Sequence, residues 1–324
     1  MKLKKLALFA CMAVTAAALL SGCGADNTAK SAPKLDTIHM TYVKSPLNIP
    51  SIVEKHDQVF EKGFEKDGIK IVYSDLDAGP KQTEAMAAGS IDITHALGGT
   101  SAILAAANGV DVKIIGMYSR APEAFTIMTQ DPSIQSIADL KGKTIAGPKG
   151  TILHQLLLTA LEKNGMTAED VQFVSMGIPQ GAAALLNGSA DAALIAGPQT
   201  LKLQQEGARI LTTGKGLLDA SIVIAVRGDF LKNYPEAVKK FMDLHRGVVQ
   251  SYLADPSTTY AAAMEETGLT QEQIQSMAPW YDFDPSIKDS DIEDLNKTQD
   301  FLIQTGMLEK DKKIDIRSIL SPVQ

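Results

Sequence analysis

The chain has 324 residues, 45% hydrophobic and 21% charged, with 31 basic against 38 acidic side chains and a formal net charge of −7. That balance argues against nucleic acid or an anionic lipid surface as partner, although backbone amides can still hold a small anion locally. Its two cysteines, Cys11 and Cys23, leave the body without a disulfide framework or a cysteine metal site, and the length allows a large core in one or two domains.

Lys2, Lys4 and Lys5 precede an apolar run from Leu6 to Leu20, which closes on Leu20-Ser21-Gly22-Cys23. A basic start, a short apolar stretch and small residues at the cut read as a secretory signal, the run being too short to span a bilayer. A cysteine directly after Leu-Ser-Gly resembles the bacterial lipoprotein signal, in which that cysteine becomes the lipidated first residue. The expectation is a signal over 1–22 and a mature chain that starts at Cys23, is exported, and hangs from the extracytoplasmic face by acyl chains. Losing the signal removes three lysines and no acid, leaving an excess of about ten acidic side chains. Residues 24–35, small, polar and proline-containing, read as a tether.

From Thr37 the pattern alternates strands and helices. Thr37 to Val43 reads as a strand, followed by the turn-like run 45–50, a helical stretch and a strand at Ile69 to Ser74. Asp77-Ala78-Gly79-Pro80 opens a helix to Ala88; Gly89 stops it and Asp92 leads into a third strand. The second half repeats this order. Lys143 to Gly147 is a strand, and Gly150-Thr151 opens a helix whose Leu153, Leu156, Leu157, Ala160 and Leu161 share one face. Val171 to Ser175 is a strand, Pro179 to Leu186 a helix and Ala192 to Ile195 a strand. Aligned without a gap, 79–92 and 178–191 match Pro80 to Pro179, Gly89 to Gly188, Ser90 to Ser189 and Asp92 to Asp191, which points to two similar lobes. Ser221 to Val226 is an apolar strand. The rest is helical: Tyr234 to Leu253, Ala261 to Glu266, Gln271 to Met277 behind a capping box at Thr270 and Gln273, and Ser290 to Thr305. Such alternation implies an α/β fold of mostly parallel sheets flanked by helices.

The runs 85–99, 136–151, 187–198 and 226–242, with Asp139-Leu140-Lys141-Gly142-Lys143 and the segment from Phe230 to Phe241 specific together, resemble the periplasmic-binding-protein superfamily. The likeness is to the lipoprotein receptors of nitrate, sulfonate and taurine importers. It implies a type II fold of two α/β lobes, with lobe one formed by 36–121 and 219–324 and lobe two by 122–218. Crossovers near Ser119 to Phe125 and Leu217 to Ser221 would join them around a ligand cleft. In open α/β sheets ligands bind beyond the carboxyl ends of the strands, so the strand-to-helix loops are the candidates.

Gly150 and Thr151 open a long helix, whose amides and hydroxyl suit an anion, or else simply cap it; His154 lies one turn on, facing the cleft or packing. Gly98, Gly99, Thr100 and Ser101 repeat the device in lobe one. Gly79 with Gln82, and Ile178 with Gln180, stand in the equivalent loops after the second strands. Pro46, Leu47 and Asn48 follow the first strand, with Leu47 a cover for an apolar tail and Asn48 a hydrogen-bonding group, or all three form a plain turn. Arg120 would bind an anion bidentately or make an interlobe salt bridge. At Gly197 and Pro198 many relatives carry an aromatic or acidic residue that this chain lacks, which speaks against a taurine-like zwitterion. Trp280, Tyr281 and Phe283 form an aromatic patch read as packing.

Catalysis is not expected. Gly-x-Ser-x-Gly, His-Glu-x-x-His and a Walker loop are absent, the five histidines (39, 56, 95, 154, 245) show no ligand spacing, and the cysteine-rich motif of the thiamine-pyrimidine branch is missing. The resemblance implies a monomeric solute receptor without cofactor or metal, delivering a sulfonate- or nitrate-type oxyanion to the permease and ATPase of an importer. A ligand sensor feeding a membrane receptor, or a receptor for an uncharged heterocycle such as a thiamine pyrimidine precursor, is the alternative.

Overall fold

A computed structural model describes residues 33–323; the signal, Cys23 and most of the tether lie outside the described residues. The chain first forms β1 (Thr37–Tyr42), α1 (Ile49–His56), α2 (Val59–Phe64), β2 (Lys70–Asp75), α3 (Gly79–Ala87), β3 (Ile93–Gly98), α4 (Gly99–Ala107) and β4 (Val112–Arg120). It continues as β5 (Phe125–Thr129), β6 (Thr144–Gly147), α5 (Ile152–Lys163), β7 (Gln172–Ser175), α6 (Ile178–Leu186), β8 (Ala192–Ala196), α7 (Pro198–Gln205) and β9 (Arg209–Thr213). It ends with β10 (Ser221–Arg227), α8 (Gly228–Asn233), α9 (Pro235–Ala254), α10 (Tyr260–Thr267), α11 (Gln271–Met277) and α12 (Asp289–Gln304).

Two five-stranded sheets result, ordered β2-β1-β3-β10-β4 and β7-β6-β8-β5-β9. Each has one strand, β10 or β5, antiparallel to both its neighbours. The molecule is thus a two-lobed α/β protein in which each lobe has a single mixed sheet. The inner strands β5 and β8 are buried along their whole length, and β3 and β10 at every residue but the last, as strands covered on both faces must be. On the outermost strands β2 and β7 exposure returns. The α5 stripe is buried as its spacing requires: Leu153, Leu156, Leu157, Ala160 and Leu161 all lie in the core. Elements β4, β5, β9 and α7 were not expected from the sequence. The aromatic patch packs, with Tyr281 stacked on Phe283 at 5.5 Å and 4°.

The internal repeat is physical. Pro80 and Pro179 both occupy the first turn of their helices, and Gly89 and Gly188 follow the helices with φ of +72° and +74°. Asp92 Oδ2 accepts from the His39 amide at 2.9 Å, and Asp191 Oδ2 from the Thr144 amide at 2.8 Å. Each aspartate amide donates back to the same residue's carbonyl, Asp92 to His39 and Asp191 to Thr144. A cation sits beside each carboxylate, Arg227 at 2.9 Å from Asp92 and Lys143 at 3.7 Å from Asp191. One residue type thereby fastens β1 to the start of β3 and, in the same way, β6 to the start of β8.

Removing the tighter of these clamps should cost more. Asp92→Ala leaves a strand amide and a half-buried guanidinium without their acceptor, and we expect a loss of about 2–3 kcal/mol, against ~1 kcal/mol for Asp191→Ala. Urea denaturation of the two variants and the parent checks the order.

Candidate functional site

Because β1, β2 and β3 run parallel, as do β6, β7 and β8, their carboxyl ends share one edge of each sheet. The six helices that follow these strands, α1, α3, α4, α5, α6 and α7, begin without a side-chain cap. A helix start leaves backbone N–H groups without intrahelical partners and carries partial positive charge. Elsewhere Ser136, Thr167 and Thr270 cap their own helical turns with complete capping boxes. Helices α2, α8, α9 and α10 also begin without a side-chain cap; what distinguishes the six is that their starts share the two facing sheet edges.

The two edges are in contact. Ser101 Oγ donates to the Gly150 carbonyl at 2.9 Å, and Thr100 Oγ1 donates to Gln155 Oε1 at 2.6 Å. Gln155 Nε2 continues to Thr298 Oγ1 on α12 at 3.0 Å. Gly98 faces Ile152, Gly150 faces Pro80 and Leu104, and Gly197 lies against the Pro46 carbonyl. Between Gly99, Thr100, Gln155, Ala220, Ser221 and Asp294 only about 10 Å³ remains open, room for roughly one water. The lobes stand closed upon each other.

The sequence-derived candidates divide accordingly. Pro46, Gly98, Gly99, Thr100, Gly150 and Gly197 lie on this seam. Thr151 turns its hydroxyl to the Pro148 carbonyl at 2.8 Å, so its contribution to an incoming group comes through the helix amides. Gly79 has no space for a side chain beside Ser101. Gln82 and Asn48 are buried braces. Gln82 donates to the Leu76 and Ala96 carbonyls, and Asn48 to those of Val43 and Ser45, which leaves one amide oxygen of each without a partner. Leu47 is fully buried in the core, Ile178 is half-buried and Gln180 exposed, and Pro198 is half-buried in the first turn of α7.

Arg120 has a different role from anion capture. Its Nε and Nη2 make a bidentate pair with Asp291 at 2.5 Å each, and its remaining donors reach Asp282, the Asp284 carbonyl and the Ser286 carbonyl. These partners lie on the segment leading into α12 and, for Asp291, on its first turn, so the guanidinium anchors the C-terminal region to β4. All five of its N–H groups are used, the full set an arginine has.

Ser101, whose hydroxyl the sequence grouped with Thr100, does lie on the seam, whereas Gln155, Ser221 and Asp294 were not singled out by sequence. Gln155 falls off the leucine face of α5, which was the available signal. Asp294 accepts from Ser221 Oγ at 2.7 Å, and burial raises its carboxyl above the usual range.

His154 is buried and stacks on Phe173 at 4.5 Å; its Nδ1 accepts from the Gly150 amide at 3.4 Å. Burial, then the charge of Lys149, lowers its pKa to about 4. It is neutral at pH 7 and buttresses the loop at Gly150.

In sequence the chain matches the NMT1/THI5-like family over residues 60–259, and it belongs to that family. Among individual relatives, a Bacillus subtilis (strain 168) protein assigned by name as an aliphatic sulfonates-binding protein is 29% identical over 93% of this chain and 91% of its own length. An Escherichia coli (strain K12) protein assigned the same name is 30% identical over 77% and 85%. The crystal structure of the periplasmic aliphatic sulphonate binding protein from E. coli superposes with a TM-score of 0.74 at 25% identity, covering 89% of this chain and 93% of that one. The alkanesulfonate-binding protein from Xanthomonas axonopodis pv. citri, solved with MOPS bound, superposes with a TM-score of 0.81 at 24% identity, covering 90% and 100%.

Two tests follow from this geometry. A Cβ at Gly197 would collide with the Pro46 carbonyl, and φ there is +55°; Gly188 has a similar φ of +74° but open space. Gly197→Ala should hold the lobes apart, seen as a larger radius of gyration in X-ray scattering, whereas Gly188→Ala strains the backbone and leaves closure intact. For His154, above pH 6.5 both folded and unfolded states are neutral. Below it the unfolded chain takes the proton first, so stability is lost as pH falls from about 6.5 to about 4. His154→Gln should flatten that part of the stability profile by ~2–3 kcal/mol, read from denaturation midpoints at pH 7 and pH 4.

Proposed function

We propose that this chain is an extracytoplasmic solute receptor that closes over a sulfonate-type oxyanion and presents it to the permease and ATPase of an importer. The observation that carries the reading is the set of uncapped helix starts along the seam. The loops 45–48, 79–82, 98–101, 150–154, 177–180 and 197–199 contain no carboxylate. An anion arriving there meets backbone amides and the partial positive charge of helix ends, in a place that excludes water on closure. A trigonal or tetrahedral oxyanion can accept several such amides at once. The apolar contacts of Gly98 with Ile152 and of Gly150 with Leu104 mark where an alkyl chain would displace protein surface.

The names of the relatives support this ligand class, and they are names of binding proteins rather than enzymes. The hinge in this proposal runs through 121–124 and 214–220, the segments between β4 and β5 and between β9 and β10. Ala220, the one non-glycine with positive φ in these segments (+53°), absorbs part of the turn. Closure of the lobes is then a ligand-driven hinge movement of the kind that assembles a docking face. Anchoring through a lipid on Cys23 keeps the receptor beside the permease.

A thermal-shift panel of the purified chain decides the ligand class. Methanesulfonate, butanesulfonate and MOPS at a hundredfold excess over Kd should each raise the melting temperature by roughly 5 °C. Taurine, nitrate, acetate and free pyrimidines should do less. Thr100→Leu, placed in the seam, should abolish the sulfonate response. A shift with a pyrimidine and none with any sulfonate would transfer the site to an uncharged heterocycle.

A further inference from the structure

Lobe one holds a second group of functional side chains that the cleft does not use. Glu54 on α1, His95 on β3 and His245 on α9 are each at most 2% exposed. Their donor atoms converge: His245 Nδ1 lies 2.7 Å from Glu54 Oε1, His95 Nε2 lies 3.2 Å from His245 Nδ1, and His95 Nε2 lies 3.3 Å from Glu54 Oε2. The rings of Phe60, Phe241 and Tyr118 stand 5.2–5.7 Å from that of His95. Along the chain the two histidines are 150 residues apart, which is why no ligand spacing shows in the sequence.

Protons alone serve this arrangement badly. If both imidazoles are neutral and donate to the carboxylate, two N–H groups face each other at 3.2 Å around a buried net negative charge. Glu54 Oε2 and His245 Nε2 also lack hydrogen-bond partners. A cation between the three donors removes the facing N–H groups and the buried net charge and gives Glu54 Oε2 a partner; the far nitrogen of His245, Nε2, stays unpaired. Tetrahedral bonds of about 2.0–2.1 Å place donors roughly 3.3–3.4 Å apart, so the separations of His95 Nε2 from His245 Nδ1 and from Glu54 Oε2 already fit, while Glu54 Oε1 has to move about 0.6 Å from His245 Nδ1. Behind His95, Ser51 Oγ lies 3.1 Å from Nδ1 and 2.9 Å from the Tyr118 hydroxyl. Such a chain orients a metal-bound imidazole from its far side.

We propose that Glu54, His95 and His245 form a binding site for one divalent transition cation of the zinc class, sealed from solvent and filled as the chain folds. Imidazole and carboxylate donors suit that class better than calcium or magnesium. The site lies at the root of the cleft. The helix carrying Glu54 begins right after loop 45–48, and the strand carrying His95 ends at Gly98, so a bound ion ties the bases of two ligand loops together.

The test refolds the full chain from denaturant in chelator, in Zn(II) or in Co(II). The proposal expects one equivalent of zinc retained through gel filtration, a melting temperature roughly 5 °C above the chelated chain, and the intense visible absorption of four-coordinate cobalt. Glu54→Gln and His245→Gln should lose both retention and the cobalt spectrum, whereas the exposed His56→Gln should keep them. No retained zinc and only the weak spectrum of aqueous cobalt in the parent chain overturns the proposal and leaves the three side chains sharing a proton. Loss of retention in His56→Gln overturns it as well, by moving the metal to the surface. The parent's result stands by itself if a variant fails to fold.

Discussion

Everything functional in this molecule depends on the common direction of its strands. Four strands per sheet share one direction, and the three of them that are followed by helices put three helix starts along one edge. The antiparallel strand in each sheet comes from the crossing between lobes, so the two edges face each other across that crossing. Donor groups therefore collect at the seam through backbone geometry, with few charged side chains required. Under the proposed function, an acidic chain holds its anion on backbone donors without committing an arginine to it.

The same economy shows in what Arg120 does. A guanidinium at the end of β4 is well placed for a ligand, yet two carboxylates and two carbonyls of the C-terminal region occupy it completely. The C-terminal helices are thereby held on the first lobe, and α12 contributes Thr298 to the hydrogen-bond chain that runs through Gln155 to Thr100. The tail is thus part of the surface on which the lobes meet.

Much of this was legible in the chain. The paired Pro, Gly, Ser and Asp at 80–92 and 179–191 disclosed the duplication because turn chemistry is local: a proline in the first helical turn, a glycine at positive φ, an aspartate answering a strand amide. The leucine face of α5 and the capping box at Thr270 were readable for the same reason. Strands β4, β5 and β9 escaped because their runs do not alternate polar and apolar residues, and the period that marks a half-exposed strand is missing. Gln155 and the Glu54–His95–His245 group escaped for a deeper reason. Their partners are supplied by the tertiary fold, across separations that no spacing rule covers. Arg120 was found as a residue of consequence, but its competing carboxylates lie more than 160 positions away in sequence.

The insertion of β10 between β3 and β4 also sets an order of assembly. As the chain emerges from its N-terminus, the second sheet has all its strands once Thr213 is out. The first must wait for Ser221–Arg227, and until then β3 and β4 present unpaired edges rich in apolar residues, such as Ile93, Leu97, Ile114 and Ile115, with nothing between them. The sheet that begins first along the chain is thus the one completed last. That interval of exposed strand edges is when a chain of this topology most needs to be kept from its own copies.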